Sequence, residues 1–201
     1  MAESASAAIK ATGIILAGGR GDRMGGVDKG LQLLDGEPMV AWVLERLSPQ
    51  VTEVLINANR NFARYASLGH RVVPDLNGEL AGPLAGLQRG LMEASFDLVV
   101  TVPCDAPRFP GDLARRLAEP LKEKNVDLAV ARTGNRIQPV FCMARKILLP
   151  QLTTFIEDGG RKVEAWFATL RTATVDFGSE AAFANVNTLE DLQSLEDRRP
   201  R

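Results

Sequence analysis

One histidine, His70, and two cysteines, Cys104 and Cys142, are all the imidazole and thiol this chain possesses. Zinc sites take several such ligands at close spacing, and the cysteines form no C-x-x-C pair, so a His/Cys zinc centre is excluded. The same scarcity argues against a disulfide scaffold and for a reducing compartment, with the cytoplasm as the default. Aromatic residues are only 5% of the 201, and the formal net charge is −1. A nucleic-acid binder of this size would carry a basic stripe interleaved with aromatics, and an acidic membrane would need a positive field. Neither partner is expected. No apolar run approaches the about 18 residues of a membrane span. The opening stretch MAESASAAIKA holds Glu3 and no apolar h-region, so residues 1–11 read as a disordered tail rather than a secretory signal.

What remains is an ordinary globular composition, 45% hydrophobic and 24% charged. Short β-branched apolar runs alternate with helical patterns along its whole length. Strands are expected at residues 12–18, 52–59, 70–75, 96–102, 126–132, 137–144 and 172–177. Helices are expected after Pro38, after Pro83, over 111–125, over 146–160 and 161–170, and over 188–198 with Thr188 as N-cap. Several strands are apolar on both faces, as in a parallel sheet covered on both sides by helices. With no repeat and no linker, the expectation is one α/β domain over residues 12–197, three layers with a mostly parallel, Rossmann-like sheet. Ligands in such folds bind beyond the carboxyl ends of the strands.

The first strand runs into GGRGDRMGGVDKG, a loop that meets neither common phosphate fingerprint. G-x-G-x-x-G begins at Gly19 but finds Met24 at its third glycine, and the P-loop spacing of Gly21 and Gly26 is followed by Val27 and Asp28 instead of Lys and Ser/Thr. Consecutive glycines let backbone N–H groups approach phosphate oxygens closely. Arg23 and Lys29 add more positive charge than one phosphate needs. A triphosphate that loses pyrophosphate needs it, because negative charge grows on the leaving group. Elsewhere, Asp105 stands just past an apolar strand, where a lone carboxylate suits Mg²⁺ or simply opens a turn after Pro103. Asn57 and Asp75 end strands, and each fits either a turn or the polar edge of a base. Cys104 has no base beside it in the sequence and reads as a packed neutral thiol.

The stretch LAGGRGDRMGGVDKG resembles the signature of the molybdenum cofactor guanylyltransferases, L-A-G-G-x-x-x-R-M-G-x-x-D-K. INAN at Asn57, VVPD at Asp75, GPLAG from Gly82 to Gly86, PCDAP at Asp105 and NVNT from Asn185 follow in the same order. The resemblance covers nearly the whole chain and implies the nucleotide-diphospho-sugar-transferase-like fold. It implies that GMP passes from GTP to the terminal phosphate of molybdopterin (Mo-molybdopterin), with pyrophosphate released. Transfer of CMP to the same pterin, or of a nucleotide to a sugar phosphate, is the neighbouring alternative; a GTP-binding module without turnover is the distant one.

By the same resemblance the nucleotide is held by Leu16, Ala17, Gly18, Gly19, Gly26, Lys29, Asn57, Asp75, Gly82 and Asp105. Mg²⁺ sits on Asp105, and catalysis falls to Arg23, Lys29 and Asp105. Gly86, Arg161, Asn185 and Asn187 form the pterin side. Family members often show two arginines where this chain has Arg161-Lys162, and lysine does not reproduce a bidentate guanidinium contact. A molybdenum-insertion enzyme and molybdoenzyme chaperones are the partners implied.

Overall fold

Short apolar runs with no polar face set the core of the sheet. In the first strand the neighbours Ile14 and Ile15 are both fully buried, and they point into two different hydrophobic clusters on opposite faces. Leu55 and Ile56 do the same on the next strand, and Val99 and Val100 on the one beyond. Alternation of side chains along a strand demands such pairs when helices cover both faces.

The computed structural model describes residues 8–19, 28–76, 82–186 and 191. In chain order its strands are β1 (Ile9–Leu16), β2 (Leu33–Leu34), β3 (Glu37–Pro38), β4 (Val51–Asn57), β5 (Arg71–Val73), β6 (Leu98–Pro103), β7 (Leu128–Thr133), β8 (Arg136–Arg145) and β9 (Thr172–Asp176). Its helices are α1 (Met39–Leu47), α2 (Phe62–Ala66), α3 (Pro83–Glu93), α4 (Leu113–Ala118), α5 (Leu149–Glu157) and α6 (Val163–Phe167). Seven strands form one sheet in the order β5-β4-β1-β6-β8-β7-β9. β8 is antiparallel to both neighbours, and every other pairing is parallel. Residues of α1, α2 and α4 pack on one face, and those of α3, α5 and α6 on the other. This is the three-layer, mostly parallel α/β architecture expected.

The sheet has a switch point. From β1 the chain moves to β4 and β5 on one side, then crosses to β6 on the other. The crevice between β1 and β6 is therefore where a ligand is accommodated. Leu16 pairs with both Asn57 and Pro103 at the strand ends, so three carboxyl termini stop level with one another.

Several elements depart from expectation. β1 starts at Ile9 and buries Ala11 completely, so the ordered domain takes in residues assigned to the tail. Pro38 precedes α1 instead of opening it, because it closes a tight hairpin with β2 across Asp35 and Gly36, both at positive φ. The helix expected over 111–125 ends at Ala118, and Pro120 starts a separate 3₁₀ turn. The helix expected over 161–170 is only Val163–Phe167. The terminal helix expected over 188–198, apart from Asp191, and most of the N-terminal tail lie outside the described residues, as do Arg23, Gly26 and Asn187.

Candidate active site

Where β1, β4 and β6 end together, the chain lines a cleft of about 480 Å³. Leu16, Ala17, Gly18 and Gly19 enter it from β1, Asn57 from β4, Asp75 from beyond β5, and Cys104 and Asp105 from beyond β6. Lys29, Gly82, Pro83, Pro103, Val140 and Asn185 complete the wall. Ten of the residues singled out in the sequence thus meet at one place: Leu16, Ala17, Gly18, Gly19, Lys29, Asn57, Asp75, Gly82, Asp105 and Asn185.

The strand ends are stitched together by backbone bonds. The Ala17 N–H donates to the Asn57 carbonyl at 2.8 Å and the Cys104 N–H to the Leu16 carbonyl at 3.1 Å. These rungs extend the ladder one residue past β1 and β6, so Asp105 is held beside the end of β1 rather than left on a free turn. The Val186 N–H donates to the Asp105 carbonyl at 2.7 Å, which brings Asn185 beside it.

At the cleft floor Lys29 Nζ donates to Asp105 Oδ2 at 3.2 Å. Asp105 is only 8% exposed. Burial raises its carboxyl pKa above the ordinary value, and the charge and hydrogen bond of Lys29 pull it part of the way back. The site thus keeps one desolvated carboxylate next to one ammonium. Beside them Cys104 is buried, and its thiol is pushed far up by burial, then by the charges of Asp105 and Asp28. It is a packed neutral thiol, as expected, and not a nucleophile.

The other end of the cleft is an amide–carboxylate cluster. Asn57 Nδ2 donates to the Val73 carbonyl at 3.2 Å and to Asp75 Oδ1 at 2.8 Å. Asn59 Nδ2 donates to Asp75 Oδ2 at 2.7 Å, while its Oδ1 accepts from the Asp75 N–H at 2.9 Å. Each carboxylate oxygen therefore accepts one bond and keeps lone pairs for a further donor. Asn59 was not singled out in the sequence. Its signal was the N-x-N spacing at the end of a strand, which puts two amides on one side.

Two residues expected on the pterin side do not line this cleft. Gly86 is buried inside α3, where an added Cβ would sit 2.5 Å from Asn57 Oδ1 and 2.5 Å from Leu16 Cδ2. Its place is behind the amide cluster, and its lack of a side chain lets α3 approach the ends of β1 and β4. Arg161 is not among the residues lining the cleft. Its guanidinium donates to the Ile156 carbonyl at 2.8 Å and the Gly160 carbonyl at 2.7 Å, which ties it to the turn that follows α5.

Among the described residues no cluster of three His, Cys, Asp or Glu could hold a metal by itself, and no helix is long and apolar enough to cross a membrane. The donor set around Asp105 nonetheless fits Mg²⁺, which is commonly bound by one or two carboxylates together with substrate phosphates and water.

Comparison with known proteins gives the same picture from outside. Residues 13–174 match the family model described as MobA-like NTP transferase domain. A molybdenum cofactor guanylyltransferase of Ralstonia nicotianae is 49% identical over 197 residues, covering 94% of this chain and 97% of its own. One from Bordetella petrii is 50% identical over 188 residues, covering 92% and 96%. The solved structure of molybdopterin-guanine dinucleotide biosynthesis protein A from Archaeoglobus fulgidus superposes with a TM-score of 0.76 at 22% identity, covering 92% of this chain and 97% of that one. At that identity the likeness speaks for the fold.

Proposed function

This chain belongs to the MobA-like NTP transferase family, and we propose that it transfers GMP from GTP to the terminal phosphate of molybdopterin. One observation carries the proposal: Lys29 and Asp105, from loops after two different strands, meet at 3.2 Å on the floor of the crevice between β1 and β6. A cation for phosphate and a carboxylate for a divalent metal stand side by side where an α/β sheet receives its ligand.

The reaction is an in-line displacement. An oxygen of the pterin phosphate forms a bond to the α-phosphorus, the bond from that phosphorus to the bridging oxygen breaks, and pyrophosphate leaves with the electron pair. The attacking phosphate is already largely ionised at neutral pH. No strong general base is required, which accords with a chain whose single histidine lies outside the cleft. The protein's contribution is positioning and charge compensation. Asp105 would hold Mg²⁺, which when bound neutralises phosphate charge. Lys29 exchanges its bond to Asp105 for the outer phosphates and stabilises the charge that grows on pyrophosphate. Arg23, from the same loop, is assigned to that leaving group as well. Gly18 and Gly19 present backbone to the phosphates, and the N-terminus of α3 at Gly82 offers further N–H donors. Asp75, braced by Asn57 and Asn59, accepts from the N1–H and 2-amino group of guanine. Asn185, next to Asp105, belongs to the acceptor side together with Asn187.

Pyrophosphate release that requires both GTP and the pterin acceptor separates this reaction from its rivals. With GTP, Mg²⁺ and molybdopterin the protein is expected to release one pyrophosphate for each dinucleotide formed, and little with the acceptor omitted. Release that ignores the acceptor, or none at all, contradicts the proposal.

Gly86→Ala tests the packing behind the amides. Alanine favours the helix by about 1 kcal/mol, so α3 itself should not weaken. Its methyl would nevertheless displace Asn57, and the KM for GTP is expected to rise about tenfold, the ~1.4 kcal/mol scale of one lost hydrogen bond. Steady-state titration with GTP checks it. An unchanged KM would mean that Asn57 yields without cost and does not fix the base.

A further inference from the structure

Asp28 directly precedes Lys29 and is not among the residues lining the cleft, yet its carboxylate is one of the most heavily bonded among the described residues. The Tyr65 hydroxyl donates to Asp28 Oδ1 at 2.5 Å, and Asn61 Nδ2 donates to Oδ2 at 2.9 Å. Arg60 Nε lies 3.7 Å from the same Oδ2. The Asp28 side chain is only 9% exposed and Tyr65 is fully buried, so the bond between them is shielded from water, while Asn61 and Arg60 reach it from the surface. The Tyr65 phenol is held neutral by burial first, then by the charges near it, and it can only donate to the carboxylate.

All three partners come from one short segment, residues 59–65, which also reaches the other end of the glycine loop. Asn59 Nδ2 donates to the Gly18 carbonyl at 3.3 Å, and Arg60 Nη2 to the Gly19 carbonyl at 3.5 Å. The segment therefore grips Gly18 and Gly19 on one side of the loop and Asp28 on the other. Its conformation carries strain: Asn61, a non-glycine residue, is left-handed at φ 53. Such a residue persists only where its surroundings determine it. Here its amide is aimed at Asp28 while its carbonyl accepts from the Arg64 and Tyr65 N–H groups, opening the helix that carries Tyr65. Behind this contact Gly30 leaves room for the phenol, since a Cβ there would lie 2.6 Å from the Tyr65 hydroxyl.

We propose that Asp28 and Tyr65 are positioning residues for the transfer: segment 59–65 anchors Asp28 and thereby aims Lys29 at Asp105 and the phosphates. The inference rests on the guanylyl-transfer reading for its substrates but concerns a contact that touches neither of them. The segment also holds Asp75 through Asn59, so the base end and the phosphate end of the cleft share one support.

A double-mutant cycle tests it, with kcat measured at saturating GTP and molybdopterin. Tyr65→Phe keeps the buried ring and is expected to lower kcat about tenfold in the wild-type protein. In a Lys29→Ala background the same change should lower kcat no more than about twofold, because its effect passes through the missing ammonium. Asn61→Gly removes the amide and relieves the left-handed strain. It should lower kcat while leaving the thermal midpoint unchanged or raised, which a purely structural role would not do. Equal factors in both backgrounds, or wild-type kcat in Tyr65→Phe, would overturn the proposal. Should Tyr65→Phe not fold, the Asn61→Gly cycle with Lys29→Ala decides alone by the same criterion. A wild-type protein that transfers no GMP from GTP defeats the substrate reading instead, and the cycle is then measured with whichever triphosphate it does transfer.

Discussion

Asp105→Ala is expected to abolish nucleotidyl transfer, to below about one thousandth of the wild-type rate, while the protein stays folded. The scale follows from losing the carboxylate assigned to the metal together with the anion that sets Lys29, since a single preorganised electrostatic contact is already worth about 10²–10³ in kcat. The fold survives because Asp105 contributes to it mainly through its backbone, whose carbonyl accepts from Val186 at 2.7 Å. Its carboxylate is a burden on the protein without nucleotide. Burial raises its pKa in the folded state despite Lys29, so the unfolded chain loses this proton at a lower pH than the folded one. Stability therefore falls as pH rises through the window between the ordinary carboxylate value and the raised one, and the penalty persists at neutral pH. Asp105→Asn should remove it. That variant is expected to show no transfer and a thermal midpoint equal to or above the wild type, read by calorimetry without nucleotide. Transfer retained in either variant would remove Asp105 from the mechanism. A lower midpoint in Asp105→Asn would show that the Lys29 pair stabilises the fold rather than preparing the site.

Lys29→Ala is expected to lower kcat by about 10²–10³, a loss of roughly 2–4 kcal/mol of transition-state stabilisation. The side chain reaches the cleft floor from just past the glycine loop, and its amine is half of the ion pair at 3.2 Å. If it acts on departing pyrophosphate, the loss appears in kcat, and KM for GTP changes less, because charge on the leaving group exceeds that of bound GTP only in the transition state. Steady-state kinetics at saturating GTP separates the two. Wild-type turnover at saturation with a raised KM would make Lys29 a ground-state binder and refute the leaving-group role.

Much of the site was visible in the chain because parallel sheets place chemistry at strand ends. Apolar runs such as IIL, VLI and LVV located β1, β4 and β6, and the polar residues just beyond them, Gly18, Asn57 and Asp105, line one cleft. What stayed hidden depends on contacts between distant segments. Tyr65 meets Asp28 across 37 positions of chain, and nothing local to either marks the pair. Gly86 belongs to a motif that resembles a ligand loop, but only the approach of α3 to Asn57 shows how tightly it packs there. Arg161 follows a Gly-Gly pair, and its bonds to the end of α5 become visible only once that helix is placed. The Asp35-Gly36 turn was legible, since Asp-Gly between short apolar runs is a hairpin signal, and it moved Pro38 out of α1. The reversed direction of β8 follows from a similar two-residue turn at Gly134-Asn135, with Thr133 paired to Arg136.

The finest distinction at this cleft is the choice of base, to which the family resemblance points and for which Asp75 is the proposed acceptor. Both its oxygens are fixed by amides at 2.8 and 2.7 Å, which leaves a rigid pair of acceptors for a base edge that offers two donors. Guanine has such an edge and cytosine does not. The direct measurement is a competition: wild-type protein with Mg²⁺, molybdopterin and equal GTP and CTP, followed by identification of the dinucleotide by mass. The account predicts the guanine dinucleotide in large excess, with one pyrophosphate released for each. A product in which cytosine equals or exceeds guanine would contradict it.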